Sequence, residues 1–359
     1  MIGIILLVVA VIGLLVFVHE LGHFVVARRN GVAVEEFGFG FPPRLFGRKV
    51  GQTIYSINLL PLGGFVRLKG EDMADTSPHS FNAASYKTKA KILLAGVGMN
   101  ALIAYIILLV LCVTGLPPVI EGQFSLGQPK VAQPRQVLVA AVGPDSAAAA
   151  AGIERGDIIL SGNGQSFTSE QDLTTFTKAN AGETVTFNVK RQTSNVEDVQ
   201  VKLKSEQEAK QQGYLGVTPL QVYKLRYGWW SPLVALGLLA QIMLGTLAAF
   251  GGLIIGLFTR GQVAETVTGP VGIVVLFSNI VHLGWSYVAL LVASISVSLA
   301  VINVLPVPAL DGGRLALITV QKATKRSLSP RAEGLVHLVG FVALIALMLV
   351  VTLFDLKRL

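Results

Sequence analysis

The sequence predicts a polytopic α-helical membrane protein of about four transmembrane helices, with a membrane-associated β-hairpin region on the cytoplasmic side and an inserted extracytoplasmic α/β domain. Three observations predict it. Of the 359 residues, 52% are hydrophobic and only 14% are charged, against about a quarter charged in an ordinary globular domain. The apolar residues gather in long runs, and the basic residues gather in two of the segments between them. A mean hydropathy of +0.63 excludes ordinary soluble, disordered, collagen-like and disulfide-rich classes. The single cysteine, Cys112, lies in an apolar run, where a packing role is expected. The net charge of +8 raises a nucleic-acid reading. The basic residues are not interleaved with aromatics, however, so the expected partner is the lipid bilayer and no nucleic acid.

Each element follows from the runs. Residues 1–28 form the first transmembrane helix, since about 20 apolar residues at about 1.5 Å each cross a bilayer. A cleaved signal peptide would want a basic N-terminal region and a small-residue cleavage site. Neither is present, and Arg28-Arg29 follow the run, so a retained span is expected. Residues 29–91 are a polar segment, 92–115 a second transmembrane helix, and 116–220 a soluble insert. Residues 221–284 form a membrane-associated connecting region and 285–313 a third transmembrane helix. A loop at 314–334 leads to a fourth transmembrane helix and tail at 335–359.

Charge orients these spans. Residues 28–91 carry ten Lys/Arg against five Asp/Glu, residues 314–331 carry five basic groups and no acid, and residues 116–230 carry eleven of each sign. The positive-inside tendency puts the first two segments in the cytoplasm and the balanced insert outside. Within the insert, 116–135 reads as a linker, 136–142 and 182–191 as strands, and 146–151 and 169–179 as helices, the last with Ser169 as N-cap. In the connecting region, 232–258 is apolar but glycine-rich and 269–280 is short. Either both cross or neither does, because a single crossing would carry the end of the third span away from the end of the first. Neither is expected to cross, with 232–258 lying on or partly in the outer face.

The chemistry lies in His19-Glu20-Leu21-Gly22-His23. Two histidines at i and i+4 share one face of a helix, so two imidazoles can hold one zinc ion. The glutamate between them can serve as base toward a water that zinc acidifies. A buried polar cluster bonding neighbouring helices is the other reading. Three ionisable groups in five residues of a span, in ligand order, favour the metal. A third ligand is required, and His79, His282, His337 and Asp311 are the candidates. Asp311 is the most suggestive, because two prolines break the helix before it and two glycines permit close backbone approach around it. A helix N-cap at the membrane surface is its alternative. His19 stands about 27 Å along a helix from the N-terminus, toward the cytoplasmic end of its span. Asp311 lies toward the same end of the third span, so the two groups sit at one level.

HELGH at 19–23, the segment from Gly96 to Asn100 and NVLPVPALDGG at 303–313, in this order around an insert, resemble the site-2 protease family of intramembrane zinc metalloproteases in its bacterial plasma-membrane form. The resemblance covers nearly the whole chain. It implies His19, His23 and Asp311 as ligands of one Zn2+ per chain and Glu20 as general base. FGFGF at 37–41 and residues 54–68, with Pro61-Leu62-Gly63-Gly64, look like the family's two membrane-associated β-elements. Residues 54–68 also read on their own as a hairpin with one apolar face and a glycine turn. A strand edge there would pair with an unwound substrate segment, which makes Gly63 and Gly64 substrate-binding candidates; a plain interfacial hairpin is the alternative. Asn303 resembles the family's substrate-binding asparagine, with Pro306 in the same motif. Its amide would hold the scissile backbone or the developing oxyanion, or else form an interhelical hydrogen bond. Asn100 is read as packing with Gly96. The insert resembles one PDZ domain at 142–147, 151–157 and 213–217, which would bind a newly exposed peptide C-terminus or act as a filter against large ectodomains.

The expected function is hydrolysis of peptide bonds in or near the transmembrane segments of single-span membrane proteins, such as anti-sigma factors or signal-peptide remnants. The expected place is the inner membrane, with the active site toward the cytoplasm. Two other classes stand beside it: a membrane zinc hydrolase of non-peptide substrates, and a non-catalytic PDZ-bearing scaffold. The PDZ-like insert speaks against the first, and an intact HELGH with a matched Asp311 speaks against the second.

Overall fold

The computed structural model describes residues 2–71, 75–120, 122–191, 195–210, 213–260, 268–326 and 328–358. The elements begin with α1 (Ile2–Arg29), β1 (Val34–Val50), β2 (Thr53–Leu68), α2 (Tyr86–Thr114) and β3 (Lys130–Val142). There follow α3 (Ala147–Ala150), β4 (Ile158–Gly162), β5 (Gln165–Ser166), α4 (Glu170–Ala179), β6 (Thr184–Lys190), β7 (Val196–Lys202) and β8 (Val217–Arg226). The chain ends with α5 (Ser231–Arg260), α6 (Pro270–Ile280), α7 (Trp285–Val304), α8 (Asp311–Thr324) and α9 (Pro330–Arg358). Two compact units divide it. One comprises Met1–Ile107, Leu236–Ser278 and Leu291–Leu359, the other Leu108–Ala235 and Asn279–Leu290.

In the first unit the long helices follow from the apolar runs, because in lipid a backbone must satisfy its own polar groups. Among the described residues five helices are long and apolar enough to span: α1, α2, a helix at Gly228–Gly256 that includes most of α5, α7 and the greater part of α9. That is one more than the runs predict. The glycines of 232–258 do not break α5, and α6, at 11 residues, covers only about 16 Å.

The β1–β2 pair corrects the reading of 54–68 as a hairpin. Those residues belong to one strand, β2, which pairs with β1 from Val50↔Thr53 at the turn to Val34↔Leu68 at the base. Gly51, at φ +63°, makes the turn. Gly63 and Gly64 lie inside the strand, where a Cβ on Gly63 would meet Val16 Cγ1 at 2.7 Å and one on Gly64 would meet Phe17 Cδ2 at 3.0 Å. The glycine pair therefore marks a close approach of β2 to α1. Bulges interrupt the ladder, and Glu36–Phe39 also face Ile54–Ile57, so the hairpin folds back on itself. Its inner half joins a core of Val34, Phe37, Leu68, Phe81 and Ile92, with Phe24 stacked on Phe37 at 4.6 Å. The buried Glu36 carboxylate is held by Arg44 at 2.5 Å and the Ser56 hydroxyl at 2.7 Å. The outer half exposes Leu45, Phe46, Val50 and Leu59.

Two further boundaries shift. The third apolar helix ends at Val304 and not at 313, because Pro306 and Pro308 interrupt the backbone bonds. The expected loop at 314–334 is helical through Thr324 as α8. Leu315 and Ile318 of α8 pack on the core around Phe81, an amphipathic face that the basic residues obscure in the sequence.

The second unit carries an antiparallel sheet in the order β7-β6-β4-β3-β8, with β5 on β4. The helix expected at 169–179 is α4, capped by a reciprocal box in which the Ser169 hydroxyl accepts from Asp172 N and the Asp172 carboxylate accepts from Ser169 N. Strand β6 buries alternate residues, and Val185, Phe187 and Val189 meet Ile159, Phe167 and Phe176 in the core. The expected linker at 116–135 gives way to strand from Lys130, where β3 pairs with β8 across two bulges that accommodate Pro134.

Candidate metal centre

Helical spacing on α1 puts His19 and His23 one turn apart, both buried, with ring centroids 4.8 Å apart. Their Nε2 atoms face each other at 3.1 Å. Asp311 Oδ2 stands 3.0 Å from His19 Nε2 and 3.2 Å from His23 Nε2. Among the described residues this is the one group of three His, Cys, Asp or Glu side chains placed so that they could hold a metal ion. In a tetrahedral zinc site with bonds of about 2.0–2.1 Å, ligand atoms stand about 3.3 Å apart. The donor triangle matches one face of that tetrahedron. Two imidazole nitrogens and a carboxylate oxygen also repel one another unless a cation or proton lies among them, so the donor set fits zinc chemically as well.

The surroundings aim these donors. His23 Nδ1 donates to the Ile92 carbonyl at 2.7 Å, so in the neutral ring Nε2, turned to the cluster, is the nitrogen without a proton. Gly96 of α2 lies against both rings: a Cβ there would stand 2.5 Å from His23 Nε2 and 2.6 Å from His19 Nε2. Asp311 is the first residue of α8. Gly312 and Gly313 let the start of that helix close on its own approach, since a Cβ on either would run into the Val304 or Val307 carbonyl. The turn is fastened to α9 by Ala309 N–H, which donates to His337 Nδ1 at 3.1 Å. One turn further along α8, Arg314 donates to the Glu71 carboxylate at 2.5 Å and to the Glu71 carbonyl, with its guanidinium 5.1 Å from the Phe81 ring centroid.

The other sequence-singled residues lie as follows. Glu20 is half-buried beside the cluster and interacts electrostatically with His19, His23 and Asp311. Asn303 is half-buried in the last turn of α7, and Pro306 is exposed between α7 and α8. Gly63 and Gly64 pack on Val16 and Phe17, one helical turn before His19. Of the other histidines weighed as ligands, His79 donates to the Gly31 carbonyl at 3.0 Å, His337 holds Ala309, and His282 lies in the short turn Val281–Leu283. Sequence reasoning missed Glu71 and Arg314, whose partnership spans 243 positions, and assigned no chemical role to Gly96 and Asn100. That last pair was signalled by its spacing, one turn apart on a span, and by the place of its segment in the family resemblance.

The profile of peptidase family M50 matches residues 7–347. A Clostridium acetobutylicum protein assigned as a zinc metalloprotease is 32% identical over 96% of this chain and 94% of its own length. The zinc metalloprotease RasP of Geobacillus kaustophilus is 26% identical over 98% of this chain and 97% of its own. The regulator of sigma-W protease RasP of Bacillus subtilis is 26% identical over 98% and 97%.

Proposed function

The chain belongs to peptidase family M50 and is a zinc-dependent site-2-type metalloprotease, and from that membership we propose that it hydrolyses peptide bonds in or beside the transmembrane segments of single-span membrane proteins. The observation that carries this reading is the donor triangle of His19, His23 and Asp311, closed to 3.0–3.2 Å between α1 and the start of α8.

These three residues would hold the zinc ion, which supplies Lewis-acid polarisation of a carbonyl and acidification of a water. Glu20, beside these donors, would act as general base toward a water at the site and would pass the proton to the leaving amine. A substrate helix hides its carbonyls in its own hydrogen bonds and has to unwind before attack. An edge of the β1–β2 hairpin, held near α1 by Gly63 and Gly64, pairs with the unwound segment, and the Asn303 amide, beside the Pro306 turn, holds its backbone. The exposed Leu45, Phe46, Val50 and Leu59 bury the hairpin tip in the bilayer interface.

Topology follows from the same convergence. Asp311 follows the C-terminal end of α7 and meets residues near the C-terminal end of α1, so the two helices run in the same direction. The chain between them then crosses an odd number of times. Helix α2 supplies one crossing and α6 is too short for another, so α5 does not cross despite its length. The basic segments lie in the cytoplasm and the insert lies outside. The insert is a single PDZ-like domain, in which residues 213–217 lead into β8 at the end of the sheet, where a peptide C-terminus binds along the strand edge. The Bacillus subtilis relative is named for sigma-W regulation. By that likeness an anti-sigma factor is one expected substrate, and signal-peptide remnants are another.

The test is cleavage of a panel of single-span substrates by the purified full chain. Glu20→Gln is expected to abolish cleavage and keep its zinc, while Asp311→Ala loses zinc. Wild-type cleavage by the Glu20 variant, or unchanged zinc in the Asp311 variant, would overturn the assignment.

A further inference from the structure

The two imidazoles of the cluster are not oriented alike. His23 has the Ile92 carbonyl, which can only accept, on its Nδ1. His19 Nδ1 instead lies 3.4 Å from the Nδ2 of Asn100. Asn100 has no solvent exposure, and its Oδ1 is without a hydrogen-bond partner among the described residues. An amide NH2 turned to Nδ1 requires that nitrogen to accept. The proton of a neutral His19 then sits on Nε2, the atom that faces Asp311 and His23. A metal on Nε2 requires the reverse tautomer, in which Nδ1 carries the proton and donates it. Half a turn of the Asn100 amide exchanges its oxygen and nitrogen in nearly the same volume. That rotation sets Oδ1, the atom now lacking a partner, on Nδ1–H.

We propose that Asn100 is the positioning residue of His19: its side-chain oxygen accepts the Nδ1 proton and so holds Nε2 bare for the metal. The inference rests on His19 being a zinc ligand. The backbone places the amide for this work. Gly96 lets α2 close on both rings, Asn100 follows one turn later, and the Asn100 carbonyl accepts from the Ser296 hydroxyl at 2.8 Å, which ties α2 to α7 at that level. A substrate-binding role would need access to the amide, and a side chain with no exposure has none. A spacer role would need only volume, and would be served better by an apolar side chain than by a buried amide with an unsatisfied oxygen.

The experiment separates acceptor from spacer in the full-length protein in detergent. Zinc affinity is read by chelator competition, and the zinc-dependent rise in Tm is read beside it. Asn100→Leu keeps the volume and removes the acceptor. It is expected to weaken zinc binding about 10–100-fold, with the metal-free Tm little changed. Asn100→Asp offers acceptor oxygens alone and is expected to hold zinc as well as wild type or better. Leu holding zinc like wild type, or Asp proving the weaker of the two, would overturn the proposal, because a pure spacer tolerates leucine and rejects a buried carboxylate. Should the leucine variant fail to fold, Asn100→Ala against Asn100→Asp decides by the same readout and the same ordering. A wild-type chain that binds no zinc would instead remove the ligand assignment of His19, a result distinct from any ranking of the variants.

Discussion

Gly96 tests the metal centre through a residue that bears no chemistry of its own. A Cβ at that position would stand 2.5 Å from His23 Nε2 and 2.6 Å from both Cε1 and Nε2 of His19. Ordinary contact begins at about 3.4 Å, so Gly96→Ala has to drive α2 and the imidazoles apart by about 0.9 Å. The rings have little freedom to evade it. Both are buried, and His23 is bonded to the Ile92 carbonyl of the same helix that carries the new methyl group. Metal–ligand distances hold to within about 0.2 Å, so the donor triangle is broken and not merely stretched. A misplacement near 1 Å costs about 100-fold, or about 2.7 kcal/mol. Zinc per chain after dialysis against a graded chelator, together with cleavage of a single-span substrate, measures both losses. Gly98→Ala on the same helix meets nothing within 4 Å and is the control, expected to match wild type or to gain slightly in stability. A Gly96→Ala protein that keeps one zinc per chain with wild-type resistance to chelator would refute the reasoning.

Removing Arg314 as Arg314→Met takes the cation from the largely buried Glu71 carboxylate and leaves it neutral donors such as Leu68 N–H, with side-chain exposures of 17% and 19% across the pair. A loss of about 3 kcal/mol is expected in thermal unfolding, and Glu71→Gln added to it should return at least half. In the insert, the Asp172 carboxyl is held below its ordinary range, first by the Thr168 N–H and then by the Ser169 and Thr168 hydroxyls. A depressed pKa stabilises above the unfolded value and loses that effect as pH falls through the folded one. The gap in Tm between wild type and Asp172→Asn should therefore persist at pH 6–7 and close below about pH 4; a gap constant down to pH 3 contradicts the capping role. For topology, Trp229→Cys stands in the turn just before α5 and Thr259→Cys at its last turn, and the one native cysteine, Cys112, is buried. Both should react with an impermeant maleimide from outside intact cells, and labelling of one end alone would show that α5 crosses.

Several parts of the fold were legible because they are written in local periodicity. The apolar runs of α1, α2, α7 and α9 and the Ser169–Asp172 box each depend on residues within a few turns of one another. Two of the misreadings share one cause. Gly63-Gly64 looks like a turn because glycine pairs usually make turns, yet here the pair is demanded by Val16 and Phe17, which lie nearly 50 positions away. Helix α8 looks like a loop because its basic residues are conspicuous and its apolar face has no visible partner. That partner is a core assembled from α1, the hairpin and α2. Long-range contact, invisible in the sequence, decided both.

The candidate site divides along the same line, and the division has a chemical meaning. His19 and His23 could be read from spacing because a helix turns every 3.6 residues, and Asp311 from the prolines and glycines that shape its own backbone. Those features bring donors to one place. They do not determine which nitrogen of an imidazole carries the proton, or how closely the second helix may approach. These depend on Ile92, Gly96 and Asn100, about 70–80 residues away on α2 and connected to the histidines only through the fold. A chain with HELGH and Asp311 intact but a leucine at 100 would still look like a complete zinc site in sequence, and on this geometry it would hold its metal one to two orders of magnitude more weakly. The motif therefore names the proposed ligands, and on this geometry the second helix sets how well they would bind.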